Sequence, residues 1–167
     1  MTSTHDPADD AGQPGERHAP LPPAQVEDLV ERAVEAVVST PSADTVLALV
    51  DDLDRGAALW DGAQVLLGPM AARPLPGLGE QEAVVRLHRL ADTVDAVSSL
   101  TYSLWAEFRE HGAAAARAVW DVAPLKVRRG AAAQMLIVYC QTIGGDAGTL
   151  APRDTVRLIG ATVPVTW

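Results

Sequence analysis

A chain of 167 residues with 48% hydrophobic composition is long enough for one globular domain with a buried core, and one domain is expected. The single cysteine, Cys140, excludes an intrachain disulfide and a zinc site built on cysteine ligands. The net charge of −9 argues against non-specific nucleic-acid binding by the whole molecule, and no apolar run is long enough to span a membrane.

The first 21 residues are predicted to form a disordered tail. Residues 1–20 are rich in Asp, Pro, Gly and Thr and show no apolar periodicity. This segment also lacks the basic and then apolar pattern of a secretory signal peptide, so a cytoplasmic location is expected. The folded domain is therefore predicted over residues 22–167.

Two amphipathic helices are predicted next. The first begins at Pro23, a residue favoured in the first helical turn, and ends before Pro41. Ser42 is a suitable N-cap for the second helix. Because glycine weakens a helix by up to about 1 kcal/mol relative to alanine, Gly56 and Gly62 are expected to kink or end this second helix.

One long helix is predicted over residues 80–111, after a loop at 71–79 that contains two prolines and two glycines. It begins with acidic residues, contains no Pro or Gly, and is followed by Gly112, a suitable C-cap. At about 1.5 Å per residue it would extend roughly 48 Å, so it is expected to be the spine of the fold. Side chains spaced alternately by three and four residues give it an apolar stripe, formed by Leu87, Leu90, Val94, Val97, Thr101, Leu104 and Phe108.

Three further helices are predicted in the C-terminal third. The first spans residues 113–122, the second runs from Leu125 to about Ile143, and the last begins at Pro152. The middle of the second, residues 135–140, is apolar on every side, a pattern that fits a buried strand as well as a helix, although the preceding residues favour a helix. The fold class predicted from the whole pattern is all-α, a bundle of about six helices around the long one.

Polar residues follow a second face of the long helix. His88 and Asp92 have the i, i+4 spacing by which two side chains on a helix can share a metal ion. A solvated face carrying a weak surface pair is the simpler interpretation, so neither a metal nor any other cofactor is predicted. Cys140, inside the apolar run, is predicted to be an inert core thiol.

A ligand cavity between the helices is one functional hypothesis. Trp105, Trp120 and Tyr139 could line it, and His88 and His111 are the candidate acid–base groups of a small enzyme. The alternative for the tryptophans is core or interface packing. The chain has no phosphate-binding loop, dinucleotide fingerprint, nucleophile elbow or zinc spacing, which lowers the expectation of an enzyme without excluding one.

Basic residues near the starts of the last two helices are candidates for an anion site: Lys126, Arg128, Arg129, Arg153 and Arg157. Cations are unfavourable at a helix N-terminus, so a negative group is expected nearby. This group could be a bound phosphate or carboxylate, or the acidic surface of the first two helices, which carry Glu27, Glu31, Asp51, Asp52 and Asp54. Residues 113–167 hold six basic and three acidic residues, so nucleic-acid contact through this third is a weaker alternative.

The C-terminal tail and the long helix both suggest a partner. Val163, Val165 and Trp167 alternate with polar residues and Pro164, a pattern that could dock in a partner's groove, although Trp167 could instead cover the end of the bundle. A helix of roughly 48 Å with a wide apolar stripe needs more covering surface than short helices offer. The leading prediction is therefore a non-catalytic interaction or regulatory module that self-associates or binds a protein partner.

Overall fold

The computed structural model describes residues 19–143 and 150–163. Over these ranges the chain forms helices and no strand, which confirms the all-α class. Within the same ranges no helix is long and apolar enough to cross a membrane. The helices are α1 (Pro23–Ser39), α2 (Ala43–Arg55), α3 (Leu59–Ala72), α4 (Glu80–Ala91), α5 (Ala96–His111), α6 (Ala113–Val122), α7 (Leu125–Thr142) and α8 (Pro152–Thr162).

The predicted N-terminal tail lies outside the described residues as far as residue 18. Its last residue, Leu21, already belongs to the folded part, because its backbone N–H donates a 3.1 Å hydrogen bond to the carbonyl oxygen of Gly56. A Cβ on Gly56 would lie 2.4 Å from Cγ of Leu21, so the glycine makes room for the leucine side chain.

The described helices number eight rather than about six because two of the predicted helices are each divided. The predicted second helix breaks into α2 and α3 at Gly56, next to Ala57, which has a positive φ of 50°. Gly62 lies inside α3, where a Cβ would meet Cδ1 of Leu53 at 2.4 Å. Gly56 therefore lies where α2 ends, and Gly62 allows α2 and α3 to approach each other closely.

The predicted single helix over residues 80–111 is wrong, and the cause is Asp95. Its Oδ1 accepts hydrogen bonds from the backbone N–H groups of Val97 and Ser98, both at 3.0 Å, and its Oδ2 accepts the Ser98 hydroxyl at 2.9 Å. These are the bonds of a helix N-cap, and the Asp95 backbone is extended, with φ −63° and ψ 167°. One helix therefore ends before this residue and another begins after it.

The two halves, α4 and α5, fold back on each other, which divides the apolar stripe. Leu87 and Leu104 enter the core, whereas Leu90 and Val94, close to the turn, remain 40% and 39% exposed. Hence residues 80–111 do not present one continuous apolar stripe of the length that prompted the prediction of self-association. That association is itself a property of several chains and stays a prediction.

The central helix is α7, which packs against α1, α2, α3, α5 and α8. It contains the apolar run at 135–140, now seen to be helical, and the residues from Ala131 to Ile137 are all buried. A helix that is apolar on every side requires neighbours on every side, and this is the position that α7 occupies. Cys140 is fully buried here, as predicted, and burial raises the pKa of its thiol to about 12.

Candidate ligand-binding cleft

A cleft of about 470 Å³ opens between α2, the N-terminus of α5, the first half of α7 and the C-terminal end of α8. Clefts of this size commonly hold small ligands. Its walls are mainly aliphatic, and they are formed by Leu47, Val50, Ala96, Val97, Val127, Ala133, Ile159 and Val163. The four helices come from distant parts of the sequence, so no local pattern predicts this cleft.

Gly130 brings α5 and α7 together at the cleft. A Cβ at this position would lie 2.8 Å from Cγ2 and 3.1 Å from Cγ1 of Val97, which is closer than a β-branched side chain can accept without moving. The absence of a side chain on Gly130 therefore allows the first turn of α5 to rest against α7. This contact fixes the position of Val97 in the cleft wall.

A chain of hydrogen bonds runs from the interior of α7 to the start of α5. The amide nitrogen of Gln134, a residue only 5% exposed, donates to Oγ of Ser98 at 2.9 Å, and that hydroxyl donates to Asp95. The backbone N–H of Ser98, more than any other group, holds the pKa of Asp95 below its ordinary value. Asp95 and Ser98 both line the cleft, yet their polar atoms are already engaged in the fold.

The predicted anion-site residues do not form one site. Lys126 and Arg129 line the cleft, whereas Arg128 does not, and Arg153 and Arg157 lie exposed on α8 outside the lining. The Nε of Arg128 is buried and has no hydrogen-bond partner in the described part of the chain.

Arg129 binds the acidic surface of α2. It donates hydrogen bonds to the carboxylates of Asp51 and Asp54, and the bond to Asp51 contributes most to raising its pKa. Lys126 is different, because none of the carboxylates in the described ranges lies within ion-pair distance of its exposed ammonium group. The charge of Arg129 is therefore balanced within the protein, and that of Lys126 is left to solvent or to a ligand.

The three aromatic residues predicted to share a cavity lie at separate places. Trp105 is buried and donates from Nε1 to the carbonyl oxygen of Met70 at 3.1 Å. Trp120 is also buried and packs against Trp60, with ring centroids 5.6 Å apart and ring planes tilted by 55°. Tyr139 is half-buried in a shallow pocket between α1, α3 and α7. None of them lines the cleft, and both tryptophans pack in the core.

The two candidate acid–base histidines do come together, but at the surface and away from the cleft lining. Nδ1 of His111 lies 3.0 Å from Oε2 of Glu107, and Nε2 of His88 lies 3.9 Å from Glu107 and 3.8 Å from Glu110. In the described ranges, no group of three or more His, Cys, Asp or Glu side chains is arranged to hold a metal ion. The cluster is thus a set of surface contacts, within α5 for His111 and between α4 and α5 for His88.

Arg109 is an important residue that the sequence did not reveal. Its side chain is only 1% exposed, and its guanidinium donates two bonds to the carboxylate of Glu80, at 2.9 and 2.6 Å. It also donates to the backbone oxygens of Met70 and Arg73, at 3.3 and 2.7 Å. The end of α3, the start of α4 and the end of α5 are therefore held by one side chain. The role is structural, since Arg109 lies outside the cleft.

The fold and the cleft together define an all-α protein with an aliphatic cleft that carries, among the described residues, one unbalanced cation at its edge. No family model, curated protein or solved structure matches this chain. Of the predicted partner-binding residues, Val163 is buried and lines the cleft, while Val165 and Trp167 lie outside the described residues. The case for a function therefore rests on the shape and charge of the cleft.

Proposed function

We propose that the protein is a non-catalytic binding protein whose ligand is a small, largely apolar molecule held in the cleft. The observation that carries this proposal is an open, aliphatic cleft of about 470 Å³ in a domain whose apolar side chains are otherwise mostly buried. Transfer of an apolar ligand from water to such walls is favourable, by roughly 25 cal/mol for each Å² of apolar surface that is buried. Leu47 at the mouth is 38% exposed and would gain from being covered.

Binding rather than catalysis is supported by the state of the polar side chains in the cleft. The hydroxyl of Ser98 donates to Asp95, whose lowered pKa makes its carboxylate a weak base, and the lining contains no histidine among the described residues. Cys140, the one thiol of the chain, is fully buried, and its raised pKa of about 12 disfavours the nucleophilic thiolate.

A neutral fluorescent probe of apolar sites, N-phenyl-1-naphthylamine, tests the proposal. We expect saturable binding at one site, and we expect Leu47→Glu to weaken it at least tenfold by placing a charge at the mouth of the cleft. The matched control is Val156→Glu on α8, a residue that is 72% exposed and outside the lining, where the same charge change should leave binding unaltered. Absence of saturable binding, or equal losses in the two variants, would contradict the proposal.

A second candidate function is association with another copy of the chain or with a protein partner. The observation that favours it is a pair of exposed apolar side chains at the corner between α6 and α7, where Val122 is 83% and Leu125 is 50% exposed. Multi-angle light scattering should then give a dimer that the double variant Val122→Ser, Leu125→Ser converts to a monomer. A wild-type monomer throughout the micromolar range would count against self-association.

A further inference from the structure

The walls of the cleft indicate an aliphatic ligand body. Side chains from all four helices contribute, including Leu47 from α2, Val97 from α5, Val127 from α7 and Ile159 from α8. The lining contains no aromatic ring among the described residues, so an aromatic ligand such as the fluorescent probe gains there from burial of its apolar surface but not from stacking. Branched aliphatic walls instead suit a flexible alkyl chain, for which each buried methylene group contributes about 0.8 kcal/mol.

The hydroxyl groups of the cleft already have partners. The hydroxyl of Ser98 lies between Gln134 and Asp95, donating to the carboxylate and accepting from the amide. The hydroxyl of Thr162 donates to the carbonyl oxygen of Leu158 at 2.8 Å. A ligand with several polar groups would therefore lose bonds to water without replacing them, at a cost of about 1–3 kcal/mol for each group.

The charged groups of the cleft leave one cation available among the described residues. Arg129 is balanced by two carboxylates of α2, and Asp95 by the N–H groups at the start of α5. Lys126 stands in the first turn of α7, where the helix dipole adds to its positive potential. Its ammonium group has no ion-pair partner within the described ranges, so the charge that complements this edge of the cleft is a single negative one.

We infer that the ligand is an aliphatic monocarboxylate, with its alkyl chain in the cleft and its carboxylate paired with Lys126. This inference rests on the proposed function, because it names the class of ligand for the same cleft. A carboxylate fits better than a phosphate. A phosphate group carries a charge of about −1.5 to −2 at neutral pH and is best held by arginine forks. The arginine of this cleft, Arg129, is already engaged by α2.

Three unbranched ten-carbon compounds with different head groups test the inference: decanoate, 1-decanol and decylamine. Displacement of N-phenyl-1-naphthylamine from the full-length protein at pH 7 reports the affinity of each. We expect decanoate to bind about threefold to tenfold more tightly than 1-decanol, the range that one partly exposed charge-assisted contact provides. The advantage should decrease as salt is added, because salt screens the contact, while 1-decanol should be insensitive.

Variants of Lys126 test whether this residue binds the carboxylate of the ligand. Lys126→Gln should remove the advantage of decanoate over 1-decanol without changing the affinity for 1-decanol, and Lys126→Arg should retain most of it. The control is Arg157→Gln, which removes an equal charge from an exposed position of α8 outside the lining and should leave both affinities unchanged. The fold is not at risk, since Lys126 is exposed and makes no described side-chain bond.

The possible outcomes separate this inference from the proposed function. If 1-decanol binds as tightly as decanoate, or if Lys126→Gln weakens both equally, the cleft remains a binding site but the monocarboxylate assignment is wrong. Tighter binding of decylamine would also overturn the assignment, because the head group would then have to meet a negative group of the protein rather than Lys126. If N-phenyl-1-naphthylamine shows no saturable binding, the proposed function fails and the inference fails with it.

Discussion

The amide nitrogen of Gln134 donates a 2.9 Å hydrogen bond to the hydroxyl of Ser98, and this bond joins the buried middle of α7 to the first turn of α5. The hydroxyl of Ser98 in turn donates a hydrogen bond to Asp95, the N-cap of α5. The start of α5 is thus determined both by its own capping residue and by the helix behind it. This turn is also one wall of the cleft. The hydrogen bonds that cap α5 therefore also fix the position of that wall.

Replacing Asp95 by alanine should destabilise the protein by about 0.5–2 kcal/mol, the usual cost of losing an N-cap. The N–H groups of Val97 and Ser98 would lose their acceptor, as would the Ser98 hydroxyl. Urea unfolding followed by circular dichroism gives the free energy of unfolding. Asp92→Ala, in the same turn and exposed, is the control and should change it by less than about 0.5 kcal/mol. Equal effects of the two substitutions would show that the capping bonds do not matter.

The lowered pKa of Asp95 predicts how its contribution depends on pH. A carboxyl group whose pKa is lower in the folded than in the unfolded state stabilises the fold above the unfolded value, about 3.9 for aspartate, and loses this contribution as the pH falls through the folded value. An asparagine at this position would cap the helix without titrating. The difference in unfolding free energy between the wild type and Asp95→Asn should therefore be constant from pH 5 to 7. Below about pH 4 the wild type should lose stability relative to Asp95→Asn. A difference that is constant down to pH 2 would contradict this assignment.

Arg109 should be one of the residues whose loss the fold tolerates least. Arg109→Met keeps the length of the aliphatic stem but removes every hydrogen bond to Glu80, Met70 and Arg73. We expect a loss of about 1.5–3 kcal/mol in unfolding free energy, because the guanidinium gives up its charge-assisted hydrogen bonds to Glu80 and to two backbone oxygens, although Glu80 itself stays solvated. Arg86→Met is the control, since Arg86 forms an exposed pair with Glu82 at 3.6 Å, a kind of contact that contributes at most about 1 kcal/mol. Similar losses in both variants would show that the hydrogen bonds of Arg109 contribute no more than an exposed ion pair.

The sequence predicts the outer helices well because strong local signals mark their ends. The first helix is predicted to begin at Pro23 and to end before Pro41, and it is observed over Pro23–Ser39. The helix predicted at 113–122 has the observed limits of α6. Prolines or glycines stand at these boundaries, and their effect on the backbone does not depend on tertiary contacts. The start of α8 at Pro152 is predicted for the same reason.

The division of the long helix could not be predicted from periodicity alone. Both α4 and α5 are amphipathic, and their apolar positions happen to continue one stripe across the turn, so Asp95 resembles one more polar residue on a solvated face. Aspartate is tolerated in a helix and is also favoured as an N-cap. Which role Asp95 takes depends on the hydrogen bonds that Ser98 makes to Asp95 and to α7. The cleft was missed for a related reason, because it exists only where four separated helices meet.

Two glycines inside helices should respond differently to replacement by alanine. Among the described residues outside the same stretch of α8, no atom lies within 4 Å of a Cβ placed on Gly160, so Gly160→Ala should stabilise the protein by up to about 1 kcal/mol through helix propensity alone. Alanine at Gly130 gains the same propensity, but its Cβ would meet the stiff Val97 side chain at 2.8 Å. Overpacking of this kind costs about 1–3 kcal/mol, so Gly130→Ala should be neutral or destabilising.

The glycine pair also tests the geometry of the cleft. Moving the first turn of α5 away from α7 displaces Val97 from the wall, so Gly130→Ala should weaken binding of N-phenyl-1-naphthylamine, whereas Gly160→Ala should leave it unchanged. Urea unfolding and the fluorescence titration, carried out on the same two proteins, separate the effect on stability from the effect on the site. Stabilisation of both variants by the same amount would mean that α5 and α7 are not in close contact at Gly130, and that this wall of the cleft is formed in another way.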